Sequence, residues 1–235
     1  QSNSTYYKIN ITTVALSVNI KQPLNGAKFV KEPVPAESIT IKGNVTAEEG
    51  CGGVGGANVK FILARDTTTK DCGQLSSVLY EGNGIYNCTI SNTTLNSDPQ
   101  FTYGYWNLSM NATKNYYNSS ETVKANNALY ITSRPELPIQ SVTRGNLTTG
   151  WGDLWKFKVN VIDEDYIGEN GSSVNVSFWI NLTGNWKFYG SQICSSPPCT
   201  GGSALEFITS FECNSTYSDI GMHNYKYNAT DNFNY

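Results

Sequence analysis

Charge is what this chain has least of. Asp, Glu, Lys and Arg make up 15% of its 235 residues, well under the roughly 25% of an ordinary soluble domain. With a formal net charge of -3 and its Lys and Arg scattered, the chain offers no basic stripe to neutralise a phosphate backbone, so nucleic acid is not an expected partner. Histidine occurs once, as His223, which excludes any site that needs two imidazoles. Its aromatic flanks mark it as a packing or rim residue rather than a general base. There is no Gly-x-Ser-x-Gly elbow, no His-Glu-x-x-His helix and no Cys-x-x-Cys or Cys/His metal spacing. The glycine-rich segment 49–56 lacks a Gly-Lys-Ser/Thr ending and joins two strand patterns, which argues against phosphate binding. No pair of inward acids can be assigned to one cleft, so the expectation is a protein that is not an enzyme. No run of about 18 apolar residues exists, and no membrane insertion is expected. The polar start at Gln1 suits a mature chain freed of a signal peptide, or an arbitrary boundary.

Polarity comes instead from Asn, Ser and Thr, and the 15 tyrosines join β-branched residues in a blend that favours pleated sheet. Asn-x-Ser/Thr occurs at Asn3, Asn10, Asn44, Asn87, Asn92, Asn107, Asn111, Asn118, Asn146, Asn170, Asn175, Asn181, Asn214 and Asn228, never with proline in the middle. Chance would give roughly five such triplets. Strand parity strengthens the case. Val174, Val176, Phe178, Ile180 and Leu182 alternate onto one face, which leaves Asn175 and Asn181 on the other. Asn44 and Asn87 stand opposite apolar residues in the same way. N-linked glycans are therefore expected on a solvent face. Six cysteines point to the same oxidising exterior. Cys51, Cys72 and Cys88 lie in one half, Cys194, Cys199 and Cys213 in the other, and fifteen pairings are open.

Trp106-Asn-Leu-Ser-Met-Asn-Ala-Thr113 and His223-Asn-Tyr-Lys-Tyr-Asn-Ala-Thr230 repeat an Asn-Ala-Thr core with its aromatic surroundings. The repeat predicts two related domains. Short alternating segments separated by turns, with no helical period, describe antiparallel sandwiches. The expected layout is an extended arm over 1–13, a first sandwich over 14–132, a stiff linker over 133–138 and a second sandwich over 139–235. Only the first copy of the repeat is followed by another strand-length stretch, Val123 to Ile131. The second sandwich is thus expected to lack its last strand. In the arm Tyr7, Ile9 and Ile11 alternate with polar residues, the pattern of a strand that could fill such a slot in a neighbouring molecule. Asp163, Asp165 and Glu169 form a candidate Ca2+ site, since hard oxygen ligands from one loop suit that ion.

The run Trp151-Gly-Asp-x-Trp-x-Phe-x-Val-x-Val-x-Asp-Glu-Asp165 and the run Tyr225-x-Tyr-x-Ala-Thr-Asp231 resemble immunoglobulin-like domains of archaeal cell-surface glycoproteins. In that family the Ala-Thr-Asp strand is followed by a partner strand, which this sequence does not contain. At the level of architecture the layout resembles archaeal thread and bundling-pilus subunits. The resemblance implies an all-β, extracellular structural glycoprotein that assembles head-to-tail with copies of itself. An adhesin-type or surface-layer module within a longer chain is the alternative.

Overall fold

The structure is a computed structural model that describes residues 13–32, 36–47, 52–144, 152–167, 173–211 and 221–231. The chain divides into two compact units, with the break after Ile131. The first unit carries ten strands: β1 (Val14–Gln22), β2 (Ala27–Glu32), β3 (Ile39–Ala47), β4 (Asn58–Arg65), β5 (Thr68–Asp71), β6 (Val78–Gly82), β7 (Ile85–Ile90), β8 (Gly104–Thr113), β9 (Tyr117–Asn118) and β10 (Val123–Ser133). They form two five-stranded sheets, in the orders β6-β7-β3-β1-β9 and β2-β10-β8-β4-β5.

Two-residue alternation makes these sheets amphipathic. In β3 Ile39, Ile41 and Val45 are fully buried while Thr40, Lys42, Asn44 and Thr46 lie between them on the other face. In β8 Trp106, Leu108, Met110 and Ala112 fill the core from the facing sheet. The two sheets meet at Gly43, where a Cβ would stand 2.3 Å from Met110 Sδ, so any larger residue would push the buried Met110 side chain aside. Trp106 is fully buried, and its indole N–H donates to the Thr102 carbonyl at 2.9 Å. Asn83 and Gly84, both with positive φ, make the β6–β7 turn, the backbone that Asn-Gly hairpins favour. Two short helices interrupt the strands, which alternation alone did not predict. One is α1 (Cys72–Leu75); the other is α2 (Asn92–Ser97), capped by Ser91 Oγ accepting from Thr94 N at 3.1 Å.

The second unit contains β11 (Gln140–Arg144), β12 (Leu154–Val159), β13 (Val174–Asn181), β14 (Trp186–Cys194), β15 (Leu205–Ser210) and β16 (Asn224–Thr230). Its sheets run β11-β12-β15 and β14-β13-β16. Aromatic rings dominate this core: Phe178 packs against Phe157 at 4.6 Å, Tyr227 at 5.2 Å and Phe207 at 5.3 Å between centroids. Residues 133–138, expected as a linker, belong to this fold. Glu136 exchanges backbone hydrogen bonds with Ile162, at 2.8 and 3.0 Å, and Ser133 is buried. The result is an all-β protein of two β-sandwiches, as the alternation implied. Of the arm, only Thr13 falls among the described residues.

The internal repeat runs deeper than the Asn-Ala-Thr core. β4 pairs with β8 as Val59↔Ala112 and Phe61↔Met110; β13 pairs with β16 as Val176↔Ala229 and Phe178↔Tyr227. On the other side Ile62↔Asp71 and Ala64↔Thr69 become Trp179↔Phe188 and Asn181↔Trp186. These pairs are displaced along the chain by the same amount, while the rest of β14, beyond its register shift after Phe178, has no counterpart in the four-residue β5. Asn58-Val-Lys-Phe-Ile-Leu63 against Asn175-Val-Ser-Phe-Trp-Ile180 is the sequence signal of this longer match.

Candidate functional site

The two ladders differ in what lies beyond their last strand. In the first unit β10 pairs along the outer edge of β8, from Val123↔Met110 to Ile131↔Gly104. In the second unit, β16 is the edge of its sheet, and no strand among the described residues pairs with its outer side. β11 is likewise an edge of the facing sheet. A cavity of about 180 Å3 lies on the flank where these edges belong, lined by Val142, Trp155, Phe157, Ile180, Phe211 and Tyr225, with Gly221 and His223 completing it.

Burial records the difference. Trp106, Leu108 and Ala112 of β8 are 0% exposed, whereas their counterparts His223, Tyr225 and Ala229 are only half-buried. Val142 is 41% exposed. Chemically the flank offers an apolar slot beside strand edges that no strand among the described residues covers, the two features that an added strand uses. His223 lines this slot, and its buried Nε2 has no hydrogen-bond partner. The Tyr227 hydroxyl, also buried and without a partner, is raised above the ordinary tyrosine pKa by burial and by Tyr225 beside it.

Of the fourteen sequon asparagines, Asn3, Asn10, Asn146, Asn170 and Asn214 lie outside the described residues. Asn92, Asn107, Asn118, Asn175 and Asn228 are exposed, and Asn44, Asn87, Asn111 and Asn181 half-buried. Their amides have different duties. Asn107 Oδ1 accepts from Asn127 N at 2.8 Å, and Asn118 Oδ1 accepts from Thr13 Oγ1 at 3.0 Å, which leaves each Nδ2 for a sugar. Asn87 Nδ2 instead donates to Glu81 Oε1, whose carboxyl is held below its usual pKa by Lys42 and by this contact. The cysteines pair within each half: Cys72 with Cys88, and Cys194 with Cys199. Cys51 and Cys213 lie outside the described residues, as do Tyr7, Ile9, Ile11 and Glu169.

Asp163 and Asp165 come together as expected, and the third carboxylate is one that the sequence did not suggest, Asp231 at the end of β16. All three are buried, each with an oxygen within 4.8 Å of the others. Ser133 Oγ donates to Asp163 Oδ1 at 2.9 Å, and Thr132 Oγ1 and Ser133 N donate to Asp165 Oδ2. Asp165 Oδ1 is buried with no hydrogen-bond partner. Burial, with the Asp165 carboxyl alongside, pushes Asp163 up to about 7. No sequence signal marks it, since the repeat aligns Asp231 with Lys114 of the first unit.

No protein-family model and no curated protein matches the chain. Among solved structures it is similar to the fibronectin(III)-like modules of Clostridium thermocellum CbhA, at 14% identity over 92% of this chain and 87% of that one, with a TM-score of 0.31. It is similar to the Escherichia coli adhesin FdeC at 12% identity, 83% and 65% coverage and a TM-score of 0.34. For the D00-D0 domain of intimin the values are 14%, 83% and 98%, and 0.28. Likenesses this distant assign no function to this chain. Among the described residues no helix is long and apolar enough to cross a membrane.

Proposed function

We propose that this chain is a non-enzymatic, N-glycosylated structural subunit of an archaeal extracellular filament, and that its second sandwich is completed by a strand from another copy. The observation that carries the reading is the contrast between β8, covered by β10, and its counterpart β16, whose edge opens beside an apolar slot. Tyr7, Ile9 and Ile11 provide the required alternation, and the arm precedes β1 directly in sequence. An arm that enters the next molecule makes a heterologous contact that does not close on itself and so propagates. The disulfides Cys72–Cys88 and Cys194–Cys199 fit an oxidising exterior. Removal of residues 1–13 is the direct test. Electron microscopy is expected to show loss of filaments while the first unit stays folded; undiminished filaments from the shortened chain would overturn the reading. If the closing strand instead comes from a longer surface-layer or adhesin-type polypeptide, the intact mass of the mature protein will far exceed that of this chain plus glycans.

The same unit would hold a hard divalent cation such as Ca2+ at Asp163, Asp165 and Asp231. Three buried carboxylates with oxygens within 4.8 Å of one another are a hard donor set that suits such an ion, and Asp165 Oδ1 offers a further ligand atom. The ion would supply positive charge and tie the end of β16 to the start of the unit. Adding Ca2+ is expected to raise the thermal midpoint of the EDTA-treated protein and to leave an Asp231→Asn variant unmoved. A wild-type midpoint indifferent to both reagents would remove the ion from this account.

A further inference from the structure

Asn181 stands among exposed aromatic rings. β13 presents Asn175, Ser177, Trp179 and Asn181 on its outer face, since Val174, Val176, Phe178 and Ile180 are buried. The ladder sets Trp186 of β14 directly opposite Asn181, and Phe188 opposite Trp179. Trp179 and Phe188 lie 5.2 Å apart between centroids. From β16, Lys226 Nζ approaches the Trp186 ring at 4.6 Å and the Trp179 ring at 6.0 Å. Trp186 is 41% and Phe188 49% exposed. Two tryptophans and a phenylalanine thus form an outward aromatic platform edged by Lys226.

Among the described sequons only Asn181 has a tryptophan two residues before it and a second one directly across the ladder. On a strand those two positions are its nearest neighbours on the same face. A pyranose ring has one face of C–H bonds, slightly positive, and an indole face is negative; the two stack while the sugar hydroxyls stay in water.

We propose that Asn181 carries an N-linked glycan whose first sugar residues lie on Trp179, Trp186 and Phe188, so that this glycan is a structural part of the second unit while the others only coat it. The inference rests on the glycoprotein reading above. It can be tested on protein purified from its source cells by glycopeptide mass spectrometry and by comparing Asn181→Gln with Asn175→Gln. The expected result is occupancy at Asn181 and a thermal midpoint about 4 °C lower for Asn181→Gln than for Asn175→Gln, together with a shift in tryptophan emission in the first variant only. Trp179→Phe, which retains a ring, is expected to keep most of the midpoint. Glycans on other sequons with Asn181 bare, or equal effects of the two Gln variants, would overturn the platform and leave the glycoprotein reading intact. The absence of glycan from every sequon would overturn both.

Discussion

Phe178 shows how one residue can hold a small unit together. Its ring meets Phe157, Tyr189, Phe207, Tyr225 and Tyr227, and it is fully buried, so truncation would leave a cavity that no neighbour can fill. Phe178→Ala is expected to destabilise the second unit by about 3–5 kcal/mol, read by denaturant titration, with the first unit unaffected. The sequon amides invite a second prediction. A glycan takes the place of an Nδ2 hydrogen, and Asn87 uses Nδ2 to hold Glu81, whereas Asn107 and Asn118 engage through Oδ1. Glycopeptide mapping is expected to find Asn107 and Asn118 more fully occupied than Asn87. The reverse order would show that modification precedes these contacts.

At the scale of elements, β8 and β16 are the same strand in different company. Both pair inward with the same register and present their apolar residues to the core, yet only β8 has β10 along its other side. That difference can be probed without damaging the fold. Val142 is 41% exposed at the mouth of the slot; Val142→Glu is therefore expected to change the stability of the isolated chain by no more than about 0.5 kcal/mol. The charge would nevertheless have to be desolvated beneath an incoming strand, so filament yield should collapse. Normal filaments from this variant would place the added strand elsewhere. Alternation made the longer core strands legible but not the short or edge strands β2, β5, β9 and β11, and the Asn-Ala-Thr repeat marked β8 and β16 as equivalents. The short helix α2 was not legible, because a helix burying only Leu95 leaves no apolar period to read.

For the molecule as a whole, the two units are expected to unfold separately. Among the described residues the first has two five-stranded sheets and the second two three-stranded ones, a smaller core, so the second should melt first. Calorimetry should show two transitions, and a synthetic peptide of residues 1–13 should raise only the lower one, whereas a single transition, or a shift of both, would contradict this. The sequence by itself determined the class and the faces: an alternation of two can be satisfied only by strands with one dry side. Tertiary structure alone decided which cysteines join, that Asp231 comes to Asp163 and Asp165, and that Trp186 lies across from Asn181. Those neighbours are set by ladder register and by the closure of one sheet on another, and side chains brought together in that way leave no mark on the stretch of chain between them.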